Sequence, residues 1–372
     1  EVAKPISDEL ARLVQRGVYS YEFNSSDVFL AISAWYKQRQ GLGLSNKNFV
    51  QVPGVLSGIA LILRMFTNEG DGVLIHTPAY HQFSSLVNKA NRTLIESPLI
   101  EEQSSYKIDF DEYERQIIDD DVKAVIFCNP HNPTGRVWSE FEIEKFVEIS
   151  KRHNVLIISD EIHADIIYKG NKFTSLTSFD YGNIVTLIGS PAKTFGMHSI
   201  SNGYIYTNNQ NLLERIKTNV SAQYLDHGNA LTTFATIAAF TKGGEWLDGM
   251  LDYLGGTVDW IEEFISKKLP EVTMYRPEGT YQIWFDFSGL DLPEEELKTL
   301  IFKESKMGLT PGNWFGSKSY NNMRINIATD RGNIIESFSL LAKAVTNLKS
   351  GALSLSSSCK KGKATSGCCY TK

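Results

Sequence analysis

At 372 residues the chain is too long for one small core, and its length favours two or three lobes. With 42% hydrophobic and 22% charged residues it has the composition of a soluble globular protein. A net charge of −6 argues against nucleic acid as the main partner, and no apolar run reaches the ~20 residues that span a bilayer.

The opening EVAKPISDEL has neither the basic start nor the apolar core of a signal peptide, and no initiating methionine, so a missing or processed N-terminus is expected. ISDELARLVQRG (6–17) reads as a helix that packs partly with the C-terminal lobe. Gly54-Val55-Leu56-Ser57-Gly58 stands at the start of an apolar helix, IALILRMF. Four short runs then read as buried strands: VLIH (73–76), AVIFC (124–128), VLIIS (155–159) and IVTLIG (184–189). Their unbroken apolarity suits a parallel sheet covered on both faces. Between them, EFEIEKFVEISKRH (140–153) sets Phe141, Ile143, Phe146, Val147 and Ile149 near helical spacing. Strand–helix–strand repetition predicts a doubly wound α/β domain.

After about residue 245 the pattern changes. WLDGMLDYLGGTVDWIEEFISKKL reads as one long helix despite the Gly255–Gly256 pair, and VTMYRPEGTYQIWFDF as a hairpin or meander. ELKTLIFKES is helical, MRINIA a strand and NIIESFSLLAKAVTNL a last helix, which makes an α+β lobe. The expected division is an N-terminal segment 1–44, a large domain 45–244, a small domain 245–349 and a tail 350–372. That tail, rich in Ser, Lys, Gly and Cys, is expected to be disordered because it has little to bury. Three of the four cysteines lie in it (Cys359, Cys368 and Cys369), leaving Cys128 in the globular part, so a reducing cytoplasm is expected. No zinc-type spacing is present.

Doubly wound sheets present ligand contacts at the C-terminal ends of their strands. Here strand 124–128 runs into NPHNPTG, 155–159 into DEIH and 184–189 into SPAK. These ends offer Asn132, Asp160, His163, Ser190 and Lys193 to one crevice. Singly, each has a plainer reading: a helix cap for Asp160, a stiff turn for NPHNPTG, a structural imidazole for His163, a solvated surface amine for Lys193. Together they fit a cofactor with a pyridine ring, a phenolic oxygen, an aldehyde and a phosphate. An aspartate holds such a ring nitrogen protonated, a lysine bonds the aldehyde, and backbone N–H groups at a helix start take the phosphate.

The set VPGVLSGI, TPAYHQF, NPHNPTGR, SDEIH, SPAKTF, EGTYQIWFDF, PGNWFG and MRINIA, in this order, resembles the class I/II aminotransferase superfamily of pyridoxal-phosphate enzymes. Within it the resemblance is greatest to the C–S lyases of the cystathionine β-lyase type, and it covers roughly residues 1 to 348. It implies the fold-type I large domain with a mainly parallel sheet, a smaller C-terminal α+β domain, and a homodimer. By position, Lys193 resembles the imine-forming lysine, Asp160 the partner of the pyridine nitrogen, and Asn132 the partner of the phenolic oxygen, with His163 close by. Tyr80 resembles the aromatic that stacks on the ring and assists proton transfer. Gly54, Val55, Leu56 and Ser190 match the phosphate cradle, Arg324 the arginine that grips the substrate carboxylate, and Tyr21 a tyrosine that reaches the partner subunit's cofactor phosphate.

Two positions depart from the common pattern: Ala192 precedes the lysine, and Ser201 stands where many aminotransferases place a phosphate-binding arginine. The lyase branch lacks that arginine too, but GMHSISNG is unlike either group. Relatives also carry an N-terminal segment ahead of the point where this sequence opens. The activity implied is β-elimination from cystathionine or a cysteine S-conjugate, giving a thiol, pyruvate and ammonia. An aminotransferase sharing the same residues, and a binding or regulatory protein that keeps the fold, are the alternatives.

Overall fold

The apolar runs fold as neighbours in one seven-stranded sheet. The computed structural model describes residues 1–22, 25–179, 184–316 and 319–355. The strands are β1 (Phe49–Val52), β2 (Gly72–Thr77), β3 (Thr93–Pro98), β4 (Ile100–Glu102), β5 (Ser105–Lys107), β6 (Val122–Cys128), β7 (Leu156–Asp160), β8 (Val185–Gly189) and β9 (Gly203–Tyr206). The large sheet has the order β1-β9-β8-β7-β6-β2-β3, and β4 and β5 form a separate hairpin. Pairings from β3 through β8 are all parallel; β9 runs antiparallel to both β8 and β1.

Each strand alternates its side chains between two apolar layers, which is why its sequence shows no alternation. Leu74, Val125, Phe127 and Ile157 face α5 (Phe110–Asp119) and α6 (Glu140–Arg152). Val73, Ile75, Ala124, Ile126 and Ile158 face α3 (Val55–Phe66), α4 (His81–Lys89) and α8 (Gln210–Ala222). α6 begins at a capping box in which the Ser139 and Glu142 side chains bond each other's backbone N–H.

The N-terminal helices α1 (Lys4–Arg16) and α2 (Ser25–Gln40) pack on α9 (Ala230–Lys242). Ala3, Ile6, Ile32 and Trp35 share a core with Phe195, Tyr204 and Ala239. The N-terminal segment therefore lies mainly against the large-sheet side. Its hold on the C-terminal half runs through Leu247, Met250 and Leu251 on α10 (Gly244–Lys268).

The α+β lobe has an antiparallel sheet, β10 (Thr273–Tyr275), β11 (Gln282–Asp286), β13 (Asn322–Asn326) and β12 (Thr310–Pro311), in that order. α10, α11 (Glu294–Thr299) and α12 (Arg331–Lys349) cover it, with Val258, Ile261, Phe285, Phe338 and Leu341 in the core. α10 runs through its glycine pair, and Gly256 lies where a Cβ would come 3.1 Å from the Arg331 guanidinium. The first residues of the expected tail belong to this lobe: Leu353 and Leu355 pack on its core. Residues 356–372, with Cys359, Cys368 and Cys369, lie outside the described residues.

The lobes interlock at two turns. Gly135 accepts hydrogen bonds from the N–H groups of Glu278 and Gly279, both at 2.9 Å or less. Arg136 reaches Glu278 and Glu142 at 2.7 and 2.9 Å and donates to the Tyr106 carbonyl.

Candidate active site

Register brings three loops together. Cys128 at the end of β6 pairs with Asp160 at the end of β7, and Asp160 pairs with Ile188 near the end of β8. The segments after these strands, carrying Asn132, His163 and Ser190–Lys193, therefore leave one edge of the sheet side by side. β1 delivers the fourth component. It ends at Val52 opposite Gly203, where a Cβ would lie 2.7 Å from the Gly54 carbonyl carbon and 2.9 Å from the Val55 nitrogen. Only glycine at 203 lets the start of α3 sit this close to the sheet.

Together these segments and β11–β13 of the small lobe enclose a cleft of ≈ 400 Å³. Lys193, Asp160, Asn132, His163, Ser190, Tyr80, Arg324, Gly54, Val55 and Leu56 all line it. Tyr21 does not: it is 95% exposed, beside Ser199, Ile200 and residues 228–232.

Lys193 lies on the single turn α7 (Pro191–Thr194). The Ser190 hydroxyl caps this turn, accepting from the Ala192 N–H at 3.2 Å and donating to the Asn202 carbonyl at 2.9 Å. Thr194 donates to the half-buried Asp165 carboxylate at 2.9 Å, which also accepts from the Trp35 indole at 2.8 Å, so α2 steadies the lysine turn. Burial, then the charge of Arg324, pull the Lys193 amine below its ordinary pKa, with Asp160 opposing. Burial raises the Asp160 carboxyl to about 6, against the Ile162 N–H bond and the Lys193 charge.

Arg324, on β13, donates to Asn132 Oδ1 at 2.9 Å and to Thr310 Oγ1 at 3.4 Å, and its guanidinium lies 4.8 Å from the Phe315 ring centroid. Burial lowers its pKa, and its buried Nε has no protein partner. His163 is in the same state: Nδ1 is buried without a partner, and burial, Lys193 and Arg324 push the ring down to about 3. Tyr80 stands at the N-cap of α4 with its phenol raised by burial. No side chain caps the start of α3 at Gly54, leaving its first N–H groups to the cleft.

The cleft also contains Cys128, His198, Ser201, Gln282 and Asn326, to which the sequence reading gives no role. Cys128 closes a strand that was legible, so the strand-end rule reaches it. His198 lies in the atypical GMHSISNG run. Gln282 and Asn326 meet only because β11 and β13 pair at that register, which no spacing reveals.

Fold and cleft define a two-lobed α/β protein that presents a half-buried amine, a buried carboxyl and an open helix start to one small ligand. The chain belongs to the class I and II aminotransferase family: the profile described as Aminotransferase class I and II matches residues 22–336. Among curated proteins it is 33% identical over 325 residues to the cystathionine beta-lyase PatB of Bacillus subtilis, covering 86% of this chain and 84% of that one. Among solved structures it is similar to cystalysin from Treponema denticola, which contains a pyridoxal 5'-phosphate cofactor, with a TM-score of 0.90 at 28% identity over 94% of this chain and 89% of that one. It is also similar to the PLP-bound C-S lyase from Staphylococcus hominis, with a TM-score of 0.87 at 29% identity over 92% and 88%. The fold is that of the fold-type I pyridoxal-phosphate enzymes, as the motifs implied.

Proposed function

We propose that the protein is a pyridoxal 5'-phosphate-dependent carbon–sulfur β-lyase. It cleaves cystathionine or a cysteine S-conjugate to a thiol, pyruvate and ammonia. The observation that carries this is the meeting of Lys193, Asp160 and the uncapped α3 start in one cleft. Relatives named cystathionine beta-lyase and C-S lyase support the choice of chemistry.

The residues fit the cofactor. Asp160 is a buried carboxyl short of a cationic partner, His163 and Arg324 leave buried nitrogens unpaired, and the α3 start lacks an acceptor. A phosphate at that start, held also by Ser190 once its hydroxyl turns from the Asn202 carbonyl, and a protonated ring nitrogen at Asp160 would satisfy the main deficits. The cleft volume lies within the range of small-molecule sites. Lys193 would hold the cofactor through its aldehyde, Asn132 through its phenolic oxygen, and Tyr80 by stacking. When bound, the cofactor supplies an electron sink that makes the substrate α-proton acidic.

The chain's own residues do the rest. Arg324 grips the α-carboxylate and orients the Cα–H bond. Lys193 Nζ accepts the α-proton, an act suited to an amine whose burial favours the neutral form. Asp160 keeps its negative charge against the ring nitrogen. Tyr80 or Lys193 gives a proton to the departing sulfur.

Three further elements belong to this reading. Residues 45–244 act as the cofactor domain and 245–349 as the small domain. Exposed Val14, Val18, Tyr19 and Tyr21 supply an apolar surface for a homodimer in which Tyr21 reaches the partner's phosphate. The buried free thiol of Cys128 suits the reducing cytoplasm.

The test is purified holoprotein with cystathionine and no keto acid. Pyruvate release is expected. Amino-group transfer that starts only when a keto acid is added would replace the lyase with an aminotransferase.

A further inference from the structure

His198 is the titratable imidazole among the cleft residues that this mechanism leaves unused. It lies five residues beyond Lys193, in the run that departs most from the family pattern. The backbone leading into it is anchored: Phe195 and Met197 are buried in the N-terminal core, and the Met197 N–H bonds the Ala192 carbonyl at 3.0 Å. Gly196 turns the chain at φ +69, so the imidazole returns to the cleft while its residue stays exposed. The ring thus touches both the cleft and water.

Nε2 lies 3.3 Å from the Tyr281 hydroxyl, and the Gly196 backbone favours a protonated ring. In the neutral tautomer that carries its proton on Nδ1, Nε2 keeps a lone pair and accepts from Tyr281. Burial keeps the Tyr281 phenol protonated, and its ring stands edge-on to His163 at 5.7 Å. The charged and titratable groups acting on His198 are Lys193 on α7, His163 after β7 and Tyr281 before β11. Burial lowers its pKa, and the Lys193 charge lowers it further while that amine is free, so it meets a ligand as a base. At 3.3 Å the Tyr281 bond is long, and a cationic donor can replace it.

An amino acid in water arrives as an ammonium ion, and its nitrogen cannot react until one proton leaves. We propose that His198, steered by Tyr281, takes that proton at the mouth of the cleft and passes it to water, delivering the substrate as a free amine. One N–H bond of the ammonium breaks, an Nε2–H bond forms, and the imidazolium then gives the proton to solvent from its exposed edge. His198 is on this account a catalytic base for amine activation, and Tyr281 a positioning residue. The inference rests on the reading above, that an amino acid reaches Lys193.

The test compares wild-type, His198→Gln and His198→Ala holoproteins across pH, with cystathionine as the probe. Near pH 6.5 kcat/KM should fall about 100-fold in His198→Gln, the size typical of a lost general base. The deficit should close as pH rises through the pKa of the substrate's own ammonium group, and kcat should change less than kcat/KM. Added imidazole should restore His198→Ala. Profiles for His198→Gln that parallel wild type, or no rescue, would overturn the proposal. If the protein proves to transfer amino groups instead, the same comparison is made on that rate, because both reactions need the free amine. A readout independent of turnover is the NMR titration of His198 in the cofactor-free chain. Its midpoint should rise in Lys193→Ala, and an unmoved midpoint contradicts the coupling whatever the reaction is.

Discussion

Burial holds the Asp160 carboxyl at about 6 because, among the described residues, only the Ile162 N–H hydrogen-bonds it and the Lys193 charge does not offset the lost water. The folded chain without cofactor therefore retains a proton that the unfolded chain releases above about pH 4. This contribution to stability is full below pH 3.8 and is lost as pH rises through 6. Asp160→Asn keeps the shape and removes the penalty. At pH 7.5 the cofactor-free variant should unfold at higher denaturant than wild type, by up to about 2–3 kcal/mol. With cofactor the sign reverses in function: exchange of the substrate α-proton with solvent should drop by at least about 100-fold, as for other removed transition-state charges. A variant with normal exchange would mean that Asp160 does not serve the ring nitrogen.

At the scale of elements, the NPHNPTG turn does two tasks: it carries Asn132 into the cleft and docks the small lobe. Gly135 has φ +74, and a Cβ there would lie 2.6 Å from Pro277 Cβ. Gly135→Ala combines a left-handed backbone with a clash against a ring, and should lower stability by about 2–4 kcal/mol in urea unfolding. It should also weaken cofactor retention, because Asn132 shares the turn; unchanged stability and retention would show that the lobes do not meet there. Strands β2, β6, β7 and β8 were legible because both faces of the sheet are covered, and strand-end logic then pointed to Asn132, Asp160, His163, Ser190 and Lys193, which line the cleft. Residues 201–244, and α2 before them, carried no such mark. The buried apolar residues of α2 (Val28, Phe29, Ala31, Ile32, Trp35 and Tyr36) share one face, but exposed Leu30 opposite it and Arg39 within it blur the pattern. β9 is only four residues long and antiparallel, and it emerges from pairing with β1 and β8 rather than from its own pattern. Gln282 and Asn326 stayed hidden for the same reason: tertiary register, not local sequence, aims them at the cleft.

Over the whole molecule, buried titratable groups set how stability depends on pH. Burial pushes His76 to about 4 and His131 and His163 to about 3. Below pH 6.5 the unfolded chain takes up protons there that the folded chain refuses, so these three lower stability as pH falls. Asp160, at about 6, and Glu161, at about 7, act in the opposite sense. Between pH 4.5 and 6 three protons oppose two, so as pH falls the cofactor-free protein should lose at most about 1.4 kcal/mol per pH unit. Below pH 4 the raised carboxyls no longer oppose the histidines, and His131 and His163 should lower stability by about 2.7 kcal/mol per pH unit until they titrate near pH 3. Denaturant midpoints across this range check the sign. Constant stability down to pH 3.5 would show that these imidazoles are not buried neutral.

The central claim is that one amine, Lys193, carries the cofactor. Borohydride reduction of the coloured holoprotein, followed by digestion and mass spectrometry, tests it most directly. A single pyridoxyl-phosphate adduct on the peptide containing Lys193 is expected. An adduct on another lysine, or a bound cofactor that borohydride does not fix to the chain, would contradict it.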